Sequence, residues 1–290
     1  MLLACSSNAS AGGGAAAPAL KYLSAWFCPF AHRATIALHH HAQHLNWEWV
    51  ESLGWEKRAS SDANSRKQAN EPVHENWYHW KHPDLLKHTP AGLIPTVVDS
   101  RGRSIHESLV VVDYVDDLAR QAAEARGTAD DFQSLLSDDP MERAQMRLAA
   151  EEVNRKLCSP YYTMLVRTDA TEQRAAFDQF LKDLGTFENE LREPFARGDR
   201  LSVVDVALLP WAQRFYILEH YRGFEIPPEM ERYHAWLAAC RALPPVANST
   251  PDHDEYLKHI GRYADSSARS KVANAVRSGR SAHELDPDHD

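Results

Sequence analysis

Cys28 is the residue in this sequence with the clearest chemical potential. A short apolar run, Leu20 to Trp26, ends just before it, and Pro29 follows it. That order places the thiol where a strand gives way to a helix, because proline suits the first helical turn. Helix N-termini present unsatisfied N–H groups and a partial positive charge. A thiol there is expected to ionise more easily, and the thiolate is the reactive form. Cys5, Cys158 and Cys240 have no such setting. Redox dithiols carry a second cysteine three residues on, but here that position is Ala31, so Cys28 needs an external thiol to resolve a mixed disulfide.

Two further features have local chemical meaning. Ile94-Pro95 puts a proline at the start of an apolar strand, where its missing N–H must do no harm. A cis bond would turn the backbone of Ile94 outward to pair with an extended peptide; an ordinary trans proline at a strand start is the alternative. Glu107-Ser108 stands where a strand enters a helix. There a hydroxyl and N–H groups can receive a carboxylate while Glu107 accepts from an ammonium group, which is how an amino-acid-like zwitterion is held; an ordinary helix start is the alternative. His39, His40, His41 and His44 point in different directions on a helix and lack a completing ligand set, so they are read as a solvated helix end and no metal site is expected. Trp47, Trp49, Trp55, Trp77 and Trp80 are read as packing residues.

The elements that must position these residues follow from periodicity. Leu20–Trp26, a helix over Ala31–Leu38 and the alternating Leu45–Val50 make a βαβ opening. Residues 51–76 lack periodicity and are expected to be a surface insertion. A short helix near Pro83–Lys87 precedes an apolar strand from Gly92, and Asp99–Arg103 is a turn cluster consistent with a hairpin. Apolar residues at 109, 110, 112 and 115 mark a helical face between Glu107 and Leu118. After Arg126-Gly-Thr the pattern is helical: Asp139-Pro140 to about Arg167, Thr171–Leu191, then 229–242 and 252–263. Ser202-Val-Val-Asp205 is a capping box ahead of another helix. This divides the chain into a disordered leader over 1–18, an α/β domain over 19–124, an all-helical domain over 125–264 and a polar tail over 265–290 expected to fray.

Composition bounds the function classes. The 290 residues suffice for two domains, and 25% charged with 43% hydrophobic residues describes a globular protein rather than a rod or a disordered chain. A net charge of −9 disfavours nucleic acid and anionic membranes, which need clustered cations. Mean hydropathy is −0.51 and no apolar run is long enough to span a bilayer. The four scattered cysteines fit reduced thiols in the cytoplasm. The start of the chain lacks the basic and apolar regions of a secretory signal.

The three motifs together resemble the glutathione transferases, and in detail the Omega class. Phe27-Cys28-Pro29-Phe30 matches the catalytic motif, Gly92-Leu-Ile94-Pro95 the cis-proline loop and Glu107-Ser108 the γ-glutamyl clamp. Lys81-His-Pro83 is similar to the glutathione-contacting lysine region, and Asp138-Asp139-Pro140 and Leu208–Arg214 to landmarks of the helical domain. The resemblance covers roughly 20–263. It implies a thioredoxin-like domain that binds glutathione as co-substrate, followed by an all-helical domain supplying half of the acceptor site, and a homodimer. It also implies that Cys28 is catalytic and that Phe27, Pro29, Phe30, Lys81, Ile94, Pro95, Glu107 and Ser108 meet glutathione, with Tyr162, Val166 and Arg214 in the acceptor pocket. The implied activity is glutathione-dependent reduction of mixed disulfides or dehydroascorbate. Two departures stand out: the insertion, and Asp252–Tyr256, where an aromatic residue is expected. Cys28-Pro-Phe-Ala-His-Arg33 is also similar to the motif of glutathionyl-hydroquinone reductases. From a different class, a non-catalytic binding protein of the same fold would need neither Cys28 nor the clamp.

Overall fold

A computed structural model describes residues 19–58 and 76–282. The expected leader therefore lies outside the described residues, as do 59–75 of the expected insertion. The chain opens with β1 (Ala19–Ser24), α1 (Pro29–His40) and β2 (Asn46–Glu51). β1 and β2 are parallel with Tyr22 opposite Trp49, the arrangement that a helical crossover requires. After α2 (Pro83–His88), β5 (Thr96–Val98) pairs antiparallel to β1 and β6 (Ser104–His106) to β5. The sheet order is β2-β1-β5-β6, and α3 (Ser108–Arg126) follows, longer than the helical face read from sequence. This is a thioredoxin-like α/β domain.

The helical domain begins with α4 (Pro140–Val153), capped by Asp139, whose carboxylate accepts from the amides of Met141 and Glu142. The long helix expected from here is interrupted by a π turn at Asn154–Cys158 before α5 (Ser159–Val166). Then come α6 (Ala170–Glu190), α7 (Val203–Ala212), α8 (Tyr216–Arg222), α9 (Glu231–Ala242), the single turn α10 (Pro244–Ala247) and α11 (His253–Ala264). All residues of α7 are buried. Asp205 anchors its start, accepting from the Ser202 amide (2.8 Å), the Ala196 amide (2.7 Å) and the Trp236 indole (2.7 Å). Helix α1 packs against both α3 and α7, so the helix that begins after Cys28 lies at the seam of the two domains.

Three expectations are corrected. The described ends of the 51–76 segment are β3 (Leu53–Arg58) and β4 (Asn76–Lys81), an antiparallel pair with Trp55 opposite His79. Their aromatic residues dock on the end of the chain, which supplies the burial that polar composition hid. The expected fraying tail contains α12 (Lys271–Arg277), capped by Ser270 and anchored by buried Ala268, Ala273, Val276 and Ala282. Ala268 forms a parallel bridge with Trp77: the Trp77 amide donates to Ser267 (2.9 Å) and the Arg269 amide to Trp77 (2.7 Å). The histidine cluster is not a solvated end. His41 is 1% exposed and its Nε2 lies 2.9 Å from Asp116, because α1 ends against α3 and Phe132 stacks on the imidazole.

Candidate active site

Cys28 is the N-cap of α1, with extended backbone and Pro29 buried in the first helical turn. Its amide donates to Ala25 (3.1 Å) and its carbonyl accepts from His32 (2.9 Å), so the turn out of β1 closes directly onto the helix. Its side chain is partly exposed. Burial pushes the thiol pKa up; the amides of Ala31 and Phe30 and the guanidiniums of Arg214 and Arg33 pull it down without reversing the shift. The shift runs opposite to the acidic thiol expected from the helix N-terminus, because desolvation outweighs the amides.

The Ile94–Pro95 bond is cis, and pairing of β5 with β1 begins at Thr96. Gly92 holds φ at +62°, and a Cβ there would meet the Lys81 stem at 2.5 Å, so glycine lets the loop close over Lys81. Glu107 is exposed and caps α3 with φ 71° and ψ 116°, a region that non-glycine residues enter at a cost. The neighbouring Ser108 is buried, and its hydroxyl accepts from Arg33 Nη1 at 3.0 Å.

On the other side of Cys28, Phe30 stacks on Tyr162 (6.3 Å between centroids, 2° between planes) and meets Trp211 edge-on at 4.8 Å. Tyr162 is buried, and Val166, at 0% exposure, presents no surface to a pocket. Arg214 is buried as well; its Nη1 donates to Pro210 (2.7 Å) and to His32 Nδ1 (2.9 Å), and its guanidinium lies over Tyr256 at 4.6 Å. In the Asp252–Tyr256 stretch, Tyr256 also packs against Trp26 at 6.0 Å.

Several residues at the site escaped the sequence. Phe27 is ringed by His259 (4.2 Å), His79 (5.9 Å) and Trp55 (6.2 Å), and the Trp55 indole donates to His259 Nε2 at 2.7 Å. Burial, Arg262 and His79 push His259 down to about 3, so this imidazole is neutral at physiological pH. Arg33 joins Ser108 to the helical domain. Its sequence signals were a cation within the helical stretch from Ala31 to Leu38 and its place at the end of the Cys28–Arg33 motif. Among the described residues, no group of three or more His, Cys, Asp or Glu could hold a metal ion, and no helix is long and apolar enough to cross a membrane.

The thioredoxin-like domain thus carries a cysteine at the start of α1, a cis-proline loop ahead of β5 and a hydroxyl at the start of α3. Known proteins are similar to this chain. The N-terminal domain family of glutathione S-transferases matches residues 27–118 and the C-terminal domain family matches 160–239. The probable glutathione S-transferase parC of Nicotiana tabacum is 30% identical over 192 residues, 63% of this chain and 82% of that one. The chain belongs to the glutathione S-transferase family.

Among solved structures, that of rice GST1 in complex with glutathione is 27% identical, with a TM-score of 0.66, covering 87% of this chain and 99% of the other. Glutathione transferase Omega 3C of Trametes versicolor shares the fold at 24% identity and a TM-score of 0.65, covering 85% and 91%. The sequence relatives are plant Tau-class proteins, whereas Omega-class proteins stand among the structural neighbours.

Proposed function

We propose that this protein is a glutathione-dependent thiol transferase of Omega type, with Cys28 as its nucleophile. The observation that carries the reading is a cysteine at the cap of α1 with Ala31, not a second cysteine, one turn on. Glutathione would lie along Phe27, Pro29, Phe30, Lys81 and the Ile94–Pro95 loop, with its γ-glutamyl group at Glu107 and Ser108. Tyr162 and Arg214 would face the acceptor; Val166 would support Tyr162 from within α5.

In the reaction, the Cys28 sulfur attacks the glutathione sulfur of a mixed disulfide. The S–S bond breaks, and the released thiolate takes the proton that Cys28 gives up. A second glutathione attacks the Cys28–glutathione disulfide, regenerating Cys28 and leaving oxidised glutathione. Per cycle one free glutathione is consumed: the acceptor leaves as a thiol, and the glutathionyl group of the mixed disulfide leaves joined to that glutathione as oxidised glutathione. Dehydroascorbate and glutathionyl-hydroquinones are alternative acceptors for the same sulfur. We place the enzyme in the cytoplasm, where Cys28, Cys158 and Cys240 stay free thiols.

Hydroxyethyl disulfide with glutathione tests this: wild type turns over, Cys28→Ala does not, and intact-mass measurement after oxidised glutathione finds one adduct, on Cys28. Turnover that survives in Cys28→Ala, or a wild type without the adduct, sinks the reading. The plant relatives are named as transferases, which favours a second reading, conjugation to an electrophile. Chlorodinitrobenzene turnover exceeding disulfide reduction would select it.

A further inference from the structure

Arg33 is 1% exposed, yet it forms no ion pair among the described residues. Its guanidinium lies 4.4 Å from the Trp211 ring centre and donates to four neutral acceptors. Nε reaches the Ala207 carbonyl on α7 (2.9 Å), Nη1 the Ser108 hydroxyl (3.0 Å), and Nη2 both Asn154 Oδ1 (3.0 Å) and Cys158 Sγ (3.3 Å) on the π turn. Glu151 acts on it only from a distance, behind Asn154, whose Nδ2 is 3.5 Å from Glu151. A desolvated cation held only by neutral acceptors is costly, and an anion delivered beside it offsets that cost.

The geometry says where such an anion would sit. A serine hydroxyl has one O–H donor besides its lone pairs. With a lone pair of Ser108 occupied by Arg33, the O–H is left to donate to a further acceptor at the start of α3. We propose that Arg33 is a positioning residue for glutathione: it orients the Ser108 hydroxyl and supplies the positive charge that the γ-glutamyl carboxylate neutralises. The π turn, which holds one edge of the guanidinium, thereby gives the helical domain control over the affinity of the α/β domain for its co-substrate. Local widenings of this kind recur at functional sites. The inference rests on the glutathione reading of the site.

The test is calorimetric binding, independent of turnover, with glutathione and with γ-aminobutyryl-cysteinyl-glycine, which lacks only the γ-glutamyl α-carboxylate. Wild type is expected to bind glutathione at least about tenfold more tightly than this analogue, the scale of a charge-assisted hydrogen bond. Arg33→Met should bind the two ligands alike, within about twofold, because the charge that separates them is gone. Asn154→Ala keeps the charge but frees one edge of the fork. It should narrow the discrimination by about threefold, and it carries the test if Arg33→Met does not fold. Folded variants that discriminate as wild type does overturn the inference alone. A wild type that binds neither ligand overturns the glutathione reading and the inference with it.

Discussion

The thiol of Cys28 lies between opposing influences. Burial favours the neutral form, while two amides and two guanidiniums favour the thiolate, and burial prevails. Alkylation by iodoacetamide follows the thiolate fraction, so the rate in the free enzyme should still be rising above pH ~8.5, the ordinary thiol midpoint. An inflection at or below that value would show that the helix N-terminus dominates after all. Arg214→Met removes a cation that opposes burial and should move the inflection further up. At this scale the sequence was legible where chemistry is local. Cys28 beside Pro29 and the Glu107–Ser108 helix start were visible in runs of a few residues, whereas the local run at Ile94–Pro95 left cis and trans open and only the resemblance pointed to cis. The roles of Arg33, His32 and His259 were not visible, because each has its role through a partner distant in the chain: Ser108, Arg214 and Trp55.

Between elements, the contact of α1 with α3 rests partly on a buried polar cluster. Burial by itself would raise the Asp116 carboxyl, but hydrogen bonds from His41, the Leu135 amide and the Ser134 hydroxyl hold it below the usual carboxylate range. A depressed carboxyl contributes stability that is present above its unfolded value, about 3.9, and lost as pH falls through the folded one. Asp116→Ala strips three donors of their acceptor and should cost about 3 kcal/mol in urea unfolding near neutral pH. It should also flatten the acid limb of the stability curve below pH ~4. A loss within the ±0.5 kcal/mol typical of surface changes would mean that water replaces the carboxylate. Helix and strand order could be read from apolar periodicity, and α7 from its capping box. The pair β3–β4 and helix α12 could not. Their buried positions are isolated aromatics and alanines in polar sequence, and each becomes apolar surface only against the other's neighbours.

For the whole molecule, α3 and α4 present exposed apolar side chains on adjoining helices tied by Arg147–Asp113 and Arg143–Asp117 ion pairs. Val110 is 52% exposed, Met141 67% and Leu148 72%. We propose that these exposed apolar side chains of α3 and α4 meet a second copy of the chain in a homodimer. Sedimentation should find wild type at twice the chain mass and Leu148→Glu as a monomer with unchanged circular dichroism. A wild type that sediments as a monomer would refute the dimer.

The bridge between Trp77 and Ala268 also sets an order of events at the ribosome. One edge of β4 is made early, but the backbone groups that satisfy Trp77 belong to Ser267 and Arg269, far downstream of it. At ordinary elongation rates that edge waits on the order of ten to forty seconds for its partner. Throughout that interval an aromatic strand edge is open to pairing with other chains. That edge of β4 is therefore closed only after Ser267 and Arg269 have been added.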